Sequence, residues 1–271
     1  MLKKNINKHS FKELYEVSKP SPVLNFNKKL ALFFSAKSGC TFIVKWFFHQ
    51  IDHLNAALDY NHFIHKYRMN VYLKSSQFIK SQNNFINTKG KDYLKIKVVR
   101  NPFERAVSSY MHFLGMIEDN HPSVSKNFGI GFDKFDYSFD EFLELLKNIN
   151  VNKCDIHWRQ QFQLIERQLK FDHIIKLENS KQELLKLENS YDLKNTIDID
   201  KLIFSGHHSV EKDNINKEEF CGKQAFTFKI KKNRPSYKSF YNNELEERVR
   251  TIYKVDFDRY KFNLEYKNSI V

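Results

Sequence analysis

Glycine, proline and cysteine are scarce in this chain, and each scarcity excludes a class of protein. Of 271 residues only 7 are glycine and 5 are proline, too few for a collagenous or low-complexity chain. The three cysteines, Cys40, Cys154 and Cys221, are widely spaced and odd in number, which fits neither a disulfide framework nor a paired zinc-binding motif. There is no apolar run of the roughly 18 residues that a membrane-spanning helix needs, and none long enough for a signal peptide follows the basic N-terminus. We therefore expect a soluble protein of a reducing compartment, the cytoplasm.

The excess of positive charge indicates an anionic ligand. Forty-five Lys and Arg against 32 Asp and Glu leave a net charge of +13, and the resulting field attracts anions. Nucleic acids, membrane surfaces, nucleotides and acidic glycans all meet this requirement, so charge alone does not choose among them. Hydrophobic residues make up 41% of the chain, which is enough for a packed core.

The chain divides into a polar start and a folded region. Residues 1–28 are polar and contain Pro20 and Pro22, so we interpret them as a lead-in that precedes the organised structure. Residues 29–271 have the length of one domain with insertions, and we assign them to a single domain.

Two segments read as a strand, a short loop and a helix. Residues 30–35 are an apolar run of strand length, followed by a loop and by apolar residues at helical spacing from Val44 to Leu58. Leu94–Val99 is a second such strand, after which Pro102 fits the first turn of a helix, where a missing N–H is tolerated. Two such units predict an α/β fold, with a central parallel sheet flanked by helices.

Helix starts and long loops are marked in the second half of the chain. Two Ser-x-x-Glu patterns have the spacing of capping boxes, in which the serine and the glutamate each accept a backbone N–H of the first turn. They are Ser138 with Glu141 and Ser180 with Glu183. Residues 115–137 and 204–236 are expected to be long loops, which in compact domains often serve as lids or binding loops.

The loop from Lys37 to Thr41 has the residues of an anion site. A helix that starts there offers unpaired N–H groups and a partial positive charge. Gly39 lets the backbone approach an anion closely, while Lys37 and Thr41 add a charge and a hydroxyl donor. It is not a Walker A loop, because the lysine precedes the only glycine. The loop predicts a phosphate or sulfate site, with an ordinary capped turn as the alternative.

A second candidate site begins at Arg100, directly after the second strand. Ser108 follows two helical turns later, and the pair could hold one phosphate, with the planar guanidinium providing bidentate contacts. Ligands of open α/β sheets bind at this edge of the strands. The alternative is that Arg100 simply pairs with Glu104 or another surface carboxylate.

Together the two segments resemble the paired motifs with which sulfotransferases bind 3'-phosphoadenosine-5'-phosphosulfate (PAPS). The resemblance is to the carbohydrate branch, which includes the chondroitin and dermatan 4-O-sulfotransferases. Residues 36–41 are similar to its Pro-Lys-x-Gly/Ala-Cys-Thr loop, with Ala36 in place of the proline, and residues 100–110 to its Arg-x-Pro-Phe-Glu-Arg-x-Val-Ser-x-Tyr segment. Further similarity covers residues 155–161, 171–178 and 252–260.

The resemblance implies a sulfotransferase fold related to that of P-loop NTPases, and transfer of a sulfuryl group from PAPS to a carbohydrate hydroxyl with release of PAP. It also implies how the donor is bound. The 5'-phosphosulfate would be held by Lys37, Ser38, Gly39, Cys40 and Thr41, the 3'-phosphate by Arg100 and Ser108, and the nucleotide would be covered by a loop that contains Asn233 and Arg234. No metal is expected, since lysine, arginine and helix termini supply the positive field.

Catalysis requires a base for the acceptor hydroxyl and positive charge near the departing oxygen. Lys37 fits the second role. Family members carry a histidine between the two motifs, and here His62 and His65 are the candidates. A histidine, with its pKa near 6.5, is a competent base at neutral pH. We prefer His65 for its Ile-His-Lys context, and His62 stays open.

Two other functions compete with this interpretation. A nucleotide-dependent phosphotransferase would need the Walker A glycines and a magnesium-binding carboxylate, which the sequence lacks. A basic RNA-binding protein would need an aromatic-basic motif such as Lys/Arg-Gly-Phe, also missing, so we expect no nucleic-acid partner.

The acceptor is assigned only as a carbohydrate. An acidic glycan would suit the cationic surface, but neither the sugar nor its hydroxyl follows from the sequence. Golgi members of the resembled branch carry a membrane anchor that this chain lacks, so we expect a bacterial enzyme that modifies a surface polysaccharide or its precursor.

Overall fold

Strands and helices alternate along the chain, as the α/β prediction requires. The computed structural model describes residues 9–196, 219–232 and 234–266. The strands are β1 (Val23–Asn25), β2 (Leu30–Phe34), β3 (Leu94–Val99), β4 (Tyr137–Ser138), β5 (His173–Lys176) and β6 (Ala225–Phe226). The α-helices are α1 (Phe11–Glu16), α2 (Cys40–Gln50), α3 (Leu54–Tyr60), α4 (Ile64–Asn70), α5 (Ser76–Thr88), α6 (Pro102–Glu118), α7 (Pro122–Phe128), α8 (Phe139–Lys147), α9 (Ser180–Ser190), α10 (Asn243–Ile252) and α11 (Lys254–Tyr260). Short 3-10 helices cover Tyr72–Lys74, Leu164–Arg167, Leu177–Asn179, Phe228–Lys232 and Tyr237–Phe240.

The described residues form two compact units, and each unit draws on two stretches of the chain. The first contains the residues up to Val99 and resumes at Gln163. The second contains Arg100–Phe162 and resumes with the described residues from 219 onward. The assignment of residues 29–271 to one domain stays a prediction.

The first unit contains a four-stranded, mostly parallel sheet in the order β1-β2-β3-β5. β2, β3 and β5 run parallel, with Phe34 opposite Val98 and Val99 opposite Lys176. The parallel sheet is therefore confirmed, and β1 adds an antiparallel edge strand that was not predicted. The carboxyl ends of the three parallel strands lie at one edge, which is where open α/β sheets bind ligands.

The core of the first unit joins the strands to apolar faces of α1, α2, α4, α5 and α9. All five residues of β2 are buried, as expected for a strand covered on both faces. β3 contributes one charged residue to this otherwise apolar core, because Lys97, in the middle of the strand, is fully buried. The Lys97 ammonium pairs with the carboxylate of Glu166 at 3.2 Å, and both side chains have no exposed surface. Burial of a charge is tolerated only when the charge is paired in this way.

The expectation that organised structure starts after residue 28 is wrong. Ser10 and Glu13 form a capping box that starts α1, which buries Phe11 and Leu14. Val23 begins β1, which pairs with β2. Five apolar residues of this stretch, Phe11, Leu14, Tyr15, Val23 and Leu24, join the core of the first unit.

Two predicted capping boxes and one predicted helix can be compared with the structure. Ser138 and Glu141 form the predicted capping box at α8. The box predicted at Ser180 is wrong, because the preceding 3-10 turn runs directly into α9 and makes Ser180 its first residue, with Asn179 as the N-cap. The helix predicted from Val44 to Leu58 is two helices. α2 ends at Gln50, and the chain turns through Asp52, whose φ is +63°, before α3 begins.

About half of the expected loop at residues 115–137 is helical. α6 continues to Glu118, and α7 follows with Pro122 in its first turn and Gly129 at its end, where φ is +67°. Proline and glycine act here as start and stop signals of a short helix rather than as loop residues. Of the second expected loop, residues 225–226 form β6 and residues 228–232 a 3-10 helix. Residues 204–218 lie outside the described part of the chain, as do His207 and His208 within them.

The second unit is built around α6. This helix contacts α7, α8 and α10. On its inner face Tyr110 and Phe113 both pack against Phe142 of α8. β4 pairs with β6. The 3-10 helix at residues 228–232 is anchored on α6, because Gly115 has no side chain and lets Phe228 approach it: a Cβ there would lie 2.8 Å from the Phe228 ring.

Candidate functional site

The loop between β2 and α2 has an unusual backbone. Lys37 and Gly39 both have left-handed φ angles, +66° and +75°. Gly39 is the N-cap of α2, and a Cβ on it would lie 2.4 Å from Cδ1 of Leu177, the residue that follows β5. Both the φ angle and the close approach favour glycine at this position. The glycine predicted to admit an anion therefore lies at the carboxyl edge of the sheet.

Ser38 shapes this loop from within. Its hydroxyl donates to the carbonyl oxygen of Ser35 at 2.6 Å and accepts from the Ser35 N–H at 3.2 Å. The side chain is fully buried. The Ser38 hydroxyl thus closes the loop, and the predicted role of Ser38 in holding the donor stays a prediction.

The first turn of α2 presents backbone N–H groups at the end of this loop. The first bond within the helix runs from the N–H of Ile43 to the carbonyl of Gly39 at 3.1 Å. The N–H groups of Cys40, Thr41 and Phe42 therefore have no partner within the helix. Lys37, half-buried, precedes them in the same loop. This combination of N–H groups, helix dipole and lysine is suited to a tetrahedral anion.

The two candidate bases differ in their surroundings. His65 lies in the first turn of α4 and is 8% exposed, with its ring stacked on Phe34 at 6.4 Å and near Phe63 at 5.2 Å. Phe34 is the last residue of β2, three residues before Lys37. His62 is exposed. His65 is therefore the candidate that packs against the strand leading into the anion loop, and its role as base stays a prediction.

Arg68 is a cation that the motif comparison did not identify. It lies one turn after His65 on α4 and is 7% exposed. Its Nη1 donates to the Ser21 carbonyl at 3.0 Å, and its guanidinium lies 5.4 Å from the centre of the Phe34 ring. Burial lowers the pKa of Arg68, while the nearby Cys40 thiol acts in the opposite direction. Its i, i+3 spacing from His65 was the available signal.

In the second unit, Arg100 precedes α6, whose N-cap is Asn101 and whose first turn contains Pro102. Its Nη2 donates to Glu104 Oε2 at 3.0 Å, so the pairing considered as an alternative does occur. The guanidinium also lies 5.1 Å from the centre of the Tyr237 ring. The salt bridge and the ring together fix the direction of the Arg100 side chain.

Tyr237 brings a second predicted residue into the same cluster. The guanidinium of Arg234 lies 4.5 Å from the centre of the Tyr237 ring, and Arg234 Nη1 donates to the Tyr237 hydroxyl at 3.2 Å. One ring thus carries two arginines, Arg100 and Arg234, which concentrates positive charge. No pattern in the sequence pointed to Tyr237. Asn233, the predicted neighbour of Arg234, lies outside the described residues.

The backbone of Arg100 is held by Gln161, which is held in turn by Asp256. Gln161 Oε1 accepts from the Arg100 N–H at 2.8 Å, and its Nε2 donates to the Arg100 carbonyl at 2.8 Å. The buried carboxylate of Asp256 in turn accepts from the N–H groups of Gln161, at 2.8 and 2.9 Å, and of Phe162, at 2.8 Å. The segments around residues 161 and 256, noticed only as similarity, therefore position Arg100.

Ser108 lies on the partly exposed face of α6. Glu104 and His112 lie one turn to either side of it on this face, and His112 was not identified from the sequence. The ring centre of His112 is 3.9 Å from that of His157, whose Nδ1 is 2.7 Å from Asp155 Oδ1. Although burial raises the pKa of Asp155, the hydrogen bonds from the His157 ring and backbone outweigh it and lower that pKa. The carboxylate is thus a firm anchor for the His157 ring.

Metal clusters and membrane-spanning helices are both missing from the described residues. No group of three or more His, Cys, Asp or Glu is arranged there to hold a metal ion. No helix in the same residues combines the length and apolar character needed to cross a bilayer.

Comparison with models of known protein families assigns the chain to one family. The model of the Sulfotransferase family matches residues 23–263, from the first residue of β1 to just beyond α11. The chain therefore belongs to the sulfotransferase family, whose members transfer sulfuryl groups. Searches of curated proteins and of solved structures gave no significant match. The α/β fold and the sulfotransferase assignment made from the motifs are confirmed.

Proposed function

We propose that this enzyme transfers the sulfuryl group of PAPS to a hydroxyl of a carbohydrate acceptor and releases PAP. The observation that carries the proposal is the left-handed loop of Lys37 and Gly39, which leads into the N-terminus of α2. A loop of this kind binds a tetrahedral anion through its N–H groups and a neighbouring cation. Membership of the family supports a sulfuryl donor, rather than a nucleoside triphosphate, as this anion.

The donor has anionic groups at two ends, and the proposal assigns a separate cluster to each. Lys37, Gly39 and the N–H groups of Cys40 and Thr41 hold the 5'-phosphosulfate, with Ser38 maintaining the loop. The 3'-phosphate is assigned to a second set. It comprises Arg100 and Ser108, while Asn233 and Arg234 belong to the loop proposed to cover the nucleotide. Support for the second set comes from the two guanidinium groups that share the Tyr237 ring.

The proposed reaction is a single in-line displacement. The acceptor oxygen attacks the sulfur atom while the bond between sulfur and the bridging phosphate oxygen breaks. His65 takes the proton of the acceptor hydroxyl, and Lys37 neutralises the charge that develops on the departing oxygen of PAP. Histidine suits the first role because its ordinary pKa lies near neutrality. The charges balance without a further reactant.

A carbohydrate acceptor is supported by the similarity of residues 36–41 and 100–110 to the carbohydrate branch. The net charge of +13 favours an acidic glycan among carbohydrates. The cytoplasmic location and bacterial origin expected from the sequence stay predictions.

Ligand-dependent melting tests the donor assignment. PAP should raise the melting temperature of the protein, because a ligand that binds the native state stabilises it. ATP with magnesium should raise it less at the same concentration. The reverse ranking would favour the phosphotransferase that competes with this proposal.

Transfer of label from radiolabelled PAPS to a panel of neutral and acidic glycans tests the acceptor. Lys37→Ala and His65→Asn should each abolish turnover, whereas Arg100→Ala should chiefly weaken donor binding. His62→Asn is the matched control for His65→Asn, because it removes an exposed imidazole from the same segment. Full activity of His65→Asn would exclude His65 as the base, and label transfer to none of the glycans would exclude a carbohydrate acceptor.

A further inference from the structure

Arg68 is a buried cation for which the described residues provide no carboxylate. Its side chain makes one hydrogen bond, from Nη1 to the Ser21 carbonyl at 3.0 Å. Its Nε is buried and has no hydrogen-bond partner among the residues that the structure describes. A guanidinium has five N–H donors, and burying its charge without an opposite charge is strongly unfavourable. An anionic ligand that pairs with the guanidinium would explain why Arg68 is buried without a carboxylate.

The position of Arg68 indicates which anion this is. In the antiparallel pair of β1 and β2, Val23 is opposite Leu32, so Ser21, two residues earlier, reaches the level of Phe34 at the end of β2. The guanidinium lies over the Phe34 ring and is close enough to Cys40 for an electrostatic interaction. Arg68 therefore lies at the same edge of the sheet as the N-terminus of α2.

The helix terminus and the arginine are independent observations that point to one ligand. The first turn of α2 offers N–H groups to a tetrahedral anion. Arg68 offers a charged, planar pair of donors within electrostatic reach of Cys40, the first residue of that turn. His65, on the same buried face of α4, also contacts Phe34. His65, the proposed base, and Arg68, the cation without a carboxylate, thus both approach the loop from α4.

We propose that Arg68 binds the sulfuryl oxygens of the donor and so orients the sulfur atom for attack. This inference rests on the proposed function, since it takes PAPS as the ligand. Arginine suits the role because its fixed fork holds two oxygens of a tetrahedral anion at once. Arg68 acts on the group that is transferred, whereas Lys37 acts on the oxygen that departs. Its contribution is to binding and orientation, because the sulfuryl oxygens are already anionic in the ground state.

The comparison of PAPS with PAP tests the inference, because PAP lacks the sulfuryl group. Affinities of both nucleotides are measured by titration calorimetry without acceptor, for the unaltered protein and for Arg68→Gln, Arg68→Lys and Lys66→Gln. In Arg68→Gln the affinity for PAPS should fall by about 10- to 100-fold, the loss expected for charge-assisted hydrogen bonds, while that for PAP changes by less than about threefold. Arg68→Lys should show an intermediate loss of PAPS affinity, since it keeps the charge but not the fork.

Lys66→Gln is the matched control. It removes the same charge from the exposed face of the same helix, and should leave both affinities unchanged. Equal losses for PAP and PAPS in both Arg68 variants would show a purely structural role and overturn the inference. Unchanged donor binding with a raised KM for acceptor would assign Arg68 to the acceptor instead, and would also overturn it. If the unaltered protein binds neither nucleotide, the proposed donor itself is wrong, which is a separate result.

Discussion

The side-chain amide of Gln161 holds the backbone of Arg100 from both sides, accepting from its N–H and donating to its carbonyl. Asp256 fixes Gln161 in turn, because its carboxylate accepts from the N–H groups of Gln161 and Phe162. These contacts form a chain of hydrogen bonds that ends at the residue whose guanidinium lies over Tyr237. Motifs that are about 60 and 150 residues apart in the sequence therefore act together on one arginine.

Gln161→Leu should destabilise the protein and weaken nucleotide binding. The change removes two hydrogen bonds and leaves the backbone groups of Arg100 unsatisfied, so the free energy of unfolding should fall by about 2–4 kcal/mol, measured by urea denaturation. The affinity for PAP should fall by about tenfold, because Arg100 loses its fixed position.

Gln160→Leu is the matched control for Gln161→Leu. Gln160 is also buried, but its amide donates to the Phe162 carbonyl at 3.2 Å and not to Arg100. It should cost about 1–2 kcal/mol of stability and leave PAP affinity unchanged. Equal losses of PAP affinity in the two variants would contradict the positioning role of Gln161.

Gly39→Ala should lower both stability and affinity for PAP. The substitution forces alanine into a left-handed conformation, at roughly 1–2 kcal/mol, and it pushes the new methyl group against Leu177. Displacement of either residue moves the loop that we assign to the 5'-phosphosulfate. Thermal denaturation and titration with PAP measure the two effects.

Gly129→Ala separates the two causes. Gly129 has a similar φ of +67°, but a Cβ there would meet no atom within 4 Å. It should therefore show only the conformational cost and no loss of PAP affinity. Similar behaviour of the two alanine variants would mean that the approach of Leu177 to Gly39 is unimportant.

Tyr237→Ala should reduce the affinity for PAP by about 10-fold or more, because it removes the ring on which Arg100 and Arg234 both lie. Tyr237→Phe keeps the ring and loses only the hydrogen bond from Arg234 to the hydroxyl. Its affinity should stay within about threefold of the original. The measurement is titration with PAP, and a larger loss in the phenylalanine variant than in the alanine variant would contradict the role of the ring.

The three cysteines should differ in reactivity towards iodoacetamide. Burial raises the pKa of Cys154 to about 12 and that of Cys221 to about 11, so both stay protonated at pH 8 and inaccessible in the native protein. Cys40 is partly exposed at the start of α2 and should be modified first. Mass spectrometry of peptides gives the order, and PAP should slow the reaction of Cys40. Equal rates for all three thiols in the native protein would contradict this burial pattern.

The parts of the fold that follow simple periodicity were predictable from the sequence. Apolar runs gave β2 and β3, and Pro102 gave the start of α6. Lys97 shows the limit, because a charged residue inside a strand is interpreted as surface until its partner Glu166 is brought beside it by the fold. α1 was missed because its buried residues are too few to stand out in a polar stretch.

The residues of the candidate site also divide into those that were predictable from the sequence and those that were not. Lys37, Gly39 and Arg100 belong to contiguous motifs and were recognised from them, although the left-handed φ of +66° at Lys37 does not follow from its residue type. Arg68 and Tyr237 do not, because their importance comes from partners that only folding supplies: Phe34 for the first and two arginines for the second. Tyr237 carries no local pattern that single-sequence reasoning can recognise, and Arg68 carries only its i, i+3 spacing from His65.

The order of strands sets a limit on how the chain can be shortened. β3 is covered on one side by β2 and on the other by β5, although β5 comes more than 70 residues later in the sequence. A polypeptide that stops before His173 would leave the β3 backbone, within the apolar stretch Leu94–Val99, open along a whole edge. Open edges of this kind pair with one another between molecules. Nonsense mutations or proteolysis ahead of β5 should therefore yield aggregates rather than a small soluble fragment. The part of the chain that contains β5 is thus needed to keep the unit that carries the anion loop from aggregating.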